Sequence, residues 1–231
     1  MFFYDVTGEN PSGSVFHFMY KVYGWMCAAL LITGSISVLV SYSPSIMAFV
    51  LQPGVSLGLF LGSLILVFMF SAMIQRMSFM TALIVYIAYA ALLGLMLSTL
   101  FMIYTQASIY VTFFITAAMF GSMALYGMIT HADLTSVGNY AVMALWGLLL
   151  SMIVNIFLGS SQLEFIISLV GVLVFVVLIA VDAQKIKELA RQLVTDRQKV
   201  NKIALKCALT LYLDFINLFL FLLRFMGKRK D

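Results

Sequence analysis

Two aspartates stand where a lipid-embedded chain least tolerates charge: Asp182, closing the apolar run 165–181, and Asp214, inside the run 204–225. A carboxylate at membrane depth costs a few kcal/mol, so such a side chain faces a partner, a cavity or an ion path. The midpoint between the two, residue 198, falls in the polar stretch Thr195-Asp196-Arg197-Gln198-Lys199. A helical hairpin turning there returns Asp214 to about the height of Asp182. Two neighbouring carboxyl groups in a poorly solvated place titrate as one coupled unit, which suits them to sensing protons. Their oxygens also suit a hard cation such as Ca²⁺, making Asp182 and Asp214 candidate metal contacts.

Read as a helix, the second run places Cys207, Thr210, Asp214 and Asn217 on one face. Thr210 and Asn217 are therefore candidates for a polar stripe lining an ion route, turned inward from lipid. Asp182 shares its face with Phe175, Leu178 and Ile179, so its partner must come from another helix, and Asp214 is the nearest. Arg76 closes an earlier apolar run and reaches the same leaflet, so the three charges can meet in one half of the bilayer. Plainer readings stand beside these. Asp182 can pair with Lys185 at the interface, and a basic residue at a span end is commonly a topology anchor.

The elements that must position these groups are membrane helices. Of 231 residues, 64% are hydrophobic and 10% charged, with mean hydropathy +1.10. A soluble domain is about 45–50% apolar and roughly 25% charged, so this chain uses lipid as its solvent. Seven apolar spans are predicted at about 21–42, 55–75, 81–104, 108–130, 139–158, 163–183 and 203–225, each near the length of a bilayer crossing. Runs this long make helices, because every backbone group must be bonded within its own segment. The fold expected is an all-α bundle of seven transmembrane helices forming a single domain over 1–231. No basic n-region leads a short apolar core, so no signal peptide is expected.

The turns between spans one and two, three and four, and five and six hold no Lys or Arg. The opposite side holds Lys21, Arg76 and the cluster from Lys185 to Lys202, which places the N-terminus and the 6–7 connection in the cytoplasm. Arg224, Lys228, Arg229 and Lys230 oppose that assignment if span seven crosses fully, as its length suggests. The net charge of +4 follows from these flanking residues and points to lipid headgroups rather than nucleic acid. Gly54 with Gly58, and Ala117 with Gly121, are expected to allow close helix approach. Ser151 and Asn155 are expected to bond between helices, Cys27 and Cys207 to be buried packing residues, and His131 with Asp133 to lie in a solvated loop. The connection Gln184–Lys202 lacks Gly and Pro and is expected to prolong span six as a polar helix.

No mid-span lysine supports a retinal linkage. Leu211-Tyr212-Leu213-Asp214 lacks the Gly-x-Gly-Asp of intramembrane aspartyl proteases, and no nucleophile elbow or phosphate loop occurs. An enzyme is not expected, nor a resident cofactor.

The string Ala208-Leu209-Thr210-Leu211-Tyr212-Leu213-Asp214-Phe215-Ile216-Asn217-Leu218-Phe219, with Leu222-Leu223-Arg224, resembles the last helix of the Bax inhibitor-1 family. Val181-Asp182-Ala183-Gln184-Lys185 is similar to that family's Tyr-Asp-Thr-Gln-Lys, departing at Val181 and Ala183. Phe120 to Gly127 and Val22 to Met26 resemble bacterial inner-membrane members, and the likeness runs from about residue 15 onward. The resemblance implies a bundle with helix seven at its centre and a pH-sensitive calcium leak. In it Asp182 and Asp214 form a hydrogen-bonded pair, and Arg76, matched only by its span-end position, is the latch. From another class, family members that bind membrane proteases or restrain stress-induced death imply a non-transporting regulator with membrane-protein partners.

Overall fold

The computed structural model describes residues 11–192 and 197–230, with side chains described from 15 to 192 and from 200 to 230. Helices account for nearly all of it: α1 (Pro11–Ser41), α2 (Pro44–Val50), α3 (Pro53–Met73), α4 (Phe79–Leu97), α5 (Leu100–Ile103), α6 (Gln106–Ile129), α7 (Thr135–Leu158), α8 (Ser161–Gln192) and α9 (Arg197–Met226). Seven of these segments are long and apolar enough to cross a membrane, α5 continuing the crossing that α4 begins. The single turn α5 and the short α2 are details the apolar runs do not announce.

Local chemistry sets the breaks. Proline opens α2 and α3, where its missing N–H is no loss. Ser78 caps α4 by accepting from the amide of Thr81 at 3.1 Å, and Thr105 caps α6 through Ser108. Gly159 ends α7 with φ 60°, a left-handed turn that a side chain would strain.

The helix that carries Asp214 sits in the middle. α9 packs against α8, α1, α6 and α4, and 72% of its membrane window is buried, against 50% for α8 and 11% for α3 and α7. In lipid there is no hydrophobic gain from hiding Leu behind Leu, so a span with mid-helix polar groups such as Thr210, Asp214 and Asn217 belongs inside. α8 lies beside α9, and α6 and α7 pack on α8. α3 lies at the rim on α4.

Close approach occurs at glycines other than those expected. A Cβ on Gly127 would stand 2.1 Å from the carbonyl oxygen of Ala180, one on Gly138 2.7 Å from Val181, and one on Gly171 2.5 Å from the Phe221 ring. Gly54, Gly58 and Gly121 have nothing within 4 Å of that position, and Ala117 is exposed. Four-residue spacing puts small residues on one face but does not say which face meets a neighbour.

The two ends of the bundle differ. At one end Gln184 of α8 accepts from the Leu134 amide and donates to the Ala132 carbonyl, and Lys202 of α9 donates to the carbonyls of Gln75 and Met77. At the other end segment 227–230 folds back: the amide of Thr105 donates to the Lys228 carbonyl, that of Lys230 to Ile103, and that of Lys228 to the Ser108 hydroxyl. Arg229 reaches Glu164 in the first turn of α8 at 3.1 Å. α9 therefore crosses completely, and its end lies with the 3–4 and 5–6 turns.

A carboxyl pair at the centre of the bundle

Asp214 lies on the innermost helix and is 7% exposed. Neighbouring turns of α9 are sealed by Leu211, Tyr212 and Leu218, all fully buried. Its Oδ2 atom has no hydrogen-bond partner, the one such buried side-chain atom among the described residues. Unmet buried polar atoms are rare in folded proteins, and each needs a reason.

The reason lies on α8. The Asp182 carboxyl group lies close enough to Asp214 for the two acids to interact electrostatically, and the Cys207 thiol, two turns before Asp214, also lies near Asp182. Ile179, Leu178 and Phe175, on the face of Asp182, are buried, and so are Ala180, Val181 and Ala183 around the rest of α8 at this height. Ionised carboxylates only accept, so a hydrogen bond between two carboxyl groups requires a proton on one of them.

The two acids differ in access. The side chain of Asp182 is 19% exposed and pairs with Lys185 at 3.2 Å, one turn on along α8. Lys185 is 60% exposed, so the pair joins an aqueous edge to a dry interior. Beyond Asp214 toward the far end, α9 presents Phe215, Leu218, Phe219, Phe221, Leu222 and Leu223, all buried. Phe215 stacks edge-on with Phe113 at 5.5 Å and lies 5.6 Å from Phe120. That half of α9 is packed with apolar side chains.

The remaining candidates fall out as follows. Thr210 and Asn217 are half-buried, and each satisfies itself on its own helix, Thr210 donating to Lys206 and Asn217 to Leu213. Arg76 is exposed in the turn after α3, and neither a hydrogen bond nor an ion pair joins it to Asp182, whose salt-bridge partner is Lys185. Its turn is held by Lys202, twelve residues or ~18 Å along the axis from Asp214. Arg76 and the two acids thus share one half of the molecule without meeting. Ser151 and Asn155 do not bond between helices: Ser151 donates to Gly147, and Asn155 accepts from the Ser160 amide, tying the turn into α8. Cys207 is buried, but Cys27 is exposed. His131 and Asp133 lie exposed in the turn before α7, as expected, and α8 runs on to Gln192 as a polar helix.

Three side chains near the pair escaped sequence reasoning. Thr33 of α1 and Tyr212 of α9 bond at 2.7 Å within the core, and Gln184 fixes the inner end of α8. A polar residue inside an apolar run was the available signal for Thr33. Among the described residues no cluster of three acidic, His or Cys side chains forms. Ca²⁺ takes six to eight oxygens, so two carboxyl groups alone are too few to hold a resident ion.

Residues 15–231 match the family described as Inhibitor of apoptosis-promoting Bax1. The chain belongs to the Bax inhibitor-1 family. It is 44% identical over 223 residues to Inner membrane protein YbhL of Escherichia coli (strain K12), covering 96% of this chain and 95% of that one. It is 42% identical over 229 residues to an uncharacterized protein of Borreliella burgdorferi, covering 98% and 99%. An uncharacterized Rickettsia prowazekii protein matches at 43% over 214 residues, 93% of this chain and 90% of the other. With its seven spanning helices, this family member is a multi-pass inner-membrane protein.

Proposed function

We propose that the protein is a passive leak path for cations, Ca²⁺ among them, gated by the proton shared between Asp182 and Asp214, and that it performs no catalysis. The supporting observation is the unpartnered Oδ2 of Asp214, buried on the central helix with the Asp182 carboxyl nearby. With one proton the pair ties α8 to α9. Without it, two like charges stand together in a poorly solvated place and repel strongly. Separation of α8 from α9 then relieves the repulsion, draws in water, and leaves carboxylate oxygens to replace part of a cation's hydration shell. Thr210 and Asn217 would exchange their own-helix carbonyls for the passing ion. The basic end, with the N-terminus, faces the cytoplasm. Lys185 holds Asp182 in the closed form; Arg76 acts as a latch only if its turn leaves Lys202.

Calcium flux into proteoliposomes tests this reading. Wild-type flux should rise as pH rises through the titration of the pair. Asp214→Asn keeps a permanent donor toward Asp182, so its flux should be low and independent of pH. Equal flux in both proteins, or none in either, defeats the proposal and favours a regulator that binds a membrane protein, such as a protease, through the α8–α9 hairpin.

A further inference from the structure

A cavity of about 1010 Å³ lies between α1 and α6, with Phe215, Ile216 and Phe219 of α9 as its floor. The two walls are joined near the Asp182 end, where the Tyr23 hydroxyl meets the Met128 sulfur at 3.6 Å. On α1 the lining runs from Met26 to Leu39, thirteen residues or ~20 Å of helix. Half of a ~30 Å hydrocarbon core is ~15 Å, so the groove matches the reach of one lipid chain in one leaflet. No acidic or basic side chain lines it, and its Thr33 hydroxyl is already committed to Ala90 and Tyr212. Ser35, Ser37 and Tyr110 add hydroxyls to an otherwise apolar lining, so such walls suit methylenes far better than a charged solute.

The far end of the groove is different. Phe101 lines it, and the Lys230 ammonium donates to the Phe101 carbonyl at 2.6 Å, leaving two of its three donors free of that bond. The Lys228 backbone is fixed alongside by the hydrogen bond its N–H donates to the Ser108 hydroxyl, and both lysine side chains are exposed. An apolar slot of one-leaflet length thus ends beneath two cations held in place by backbone pairing. We propose that this groove binds one acyl chain of an anionic glycerophospholipid, with its phosphate on Lys228 and Lys230.

Native mass spectrometry of the full chain in detergent, titrated with dioleoyl phosphatidylglycerol or dioleoyl phosphatidylcholine, reads this out. The chains are identical, so only the headgroup differs. Two surface lysines contribute about fivefold each, so wild type should prefer phosphatidylglycerol by on the order of thirtyfold. The double variant Lys228→Gln, Lys230→Gln should lose that preference and keep the weaker binding common to both lipids. Gly34→Phe places a ring in open groove, since nothing lies within 4 Å of a Cβ there, and should abolish binding of both lipids. Equal affinity for the two lipids in wild type overturns the proposal, as does undiminished phosphatidylglycerol binding by a folded Gly34→Phe protein. A protein dimer that Gly34→Phe dissociates would show a second copy as the occupant and overturn it too. Should Gly34→Phe fail to fold, the lysine variants decide alone.

Discussion

The Thr33 hydroxyl donates to the Ala90 carbonyl at 2.8 Å and lies 2.7 Å from the Tyr212 hydroxyl, linking α1, α4 and α9 two residues from Asp214. Thr33 has one proton to give, so Tyr212 is the donor between them. Thr33→Val strands a buried Tyr212 O–H and should cost ~1–3 kcal/mol, whereas Tyr212→Phe leaves Thr33 satisfied on Ala90 and should cost ~0.5–1.5 kcal/mol. Thermal unfolding in one detergent orders the two; the reverse order would refute this direction of donation.

Glycine substitutions should split into two groups. Gly127→Ala drives a methyl into the Ala180 backbone, which cannot yield as a side chain can, so a loss of about 1–3 kcal/mol or more is expected. Gly171→Ala meets the Phe221 ring and should lose less, since a ring can turn. Gly58→Ala and Gly121→Ala meet open space and should be neutral within ~0.5 kcal/mol. The comparison is made by melting temperature at equal detergent concentration.

Asp214→Leu replaces the buried carboxyl with an apolar group of the same shape. Relief of an unpartnered oxygen should leave the protein as stable as wild type or more so by ~1–3 kcal/mol, while calcium flux is lost. A destabilised Asp214→Leu protein would mean that the pair serves packing more than passage.

Sidedness can be read by cysteine labelling. In a Cys27→Ser background, cysteines at Ser160 and Lys228 should react from one side of the membrane and one at Thr130 from the other. Cys207 is buried and should stay silent. Labelling of Lys228→Cys together with Thr130→Cys would contradict a full crossing by α9.

Asp133 supplies an acid-side effect outside the membrane. Its carboxylate accepts from Thr135, side chain and then amide, which holds its pKa below the ordinary carboxylate range. A depressed folded-state value means a contribution fully present above the unfolded value near ~3.9 and lost as pH falls through the lower folded one. Amide exchange at Thr135 should therefore quicken in strong acid, and Asp133→Asn should show no such step there. The group is fully exposed, so only the direction is predicted.

The spans were legible because lipid imposes one rule on every residue of a crossing, and the rule is written in composition. Asp182 and Asp214 were legible for the same reason, as violations of it. That the two acids lie at similar height on neighbouring helices followed from counting residues about a turn. Arg76 did not follow: its position along the membrane normal is right, but rim placement of α3 is a lateral fact, and hydropathy carries no lateral information. The glycines failed on the same ground, since Gly127 and Gly121 differ only in which way they look. Ser151 and Asn155 had their own helix and the next turn as nearer partners than another span.

α9 emerges from the ribosome after all six other spans, including α1, α4, α6 and α8, which pack around it. Until it inserts, the inward faces of α1, α6 and α8, with Thr33, Phe120 and Asp182, have no axle to close upon. The earlier spans must therefore wait in the bilayer as an open ring, tolerant of lipid in the seat that α9 will take. A chain stalled before residue 200 should leave that ring ajar and vulnerable to membrane quality control, even though six of seven crossings are complete.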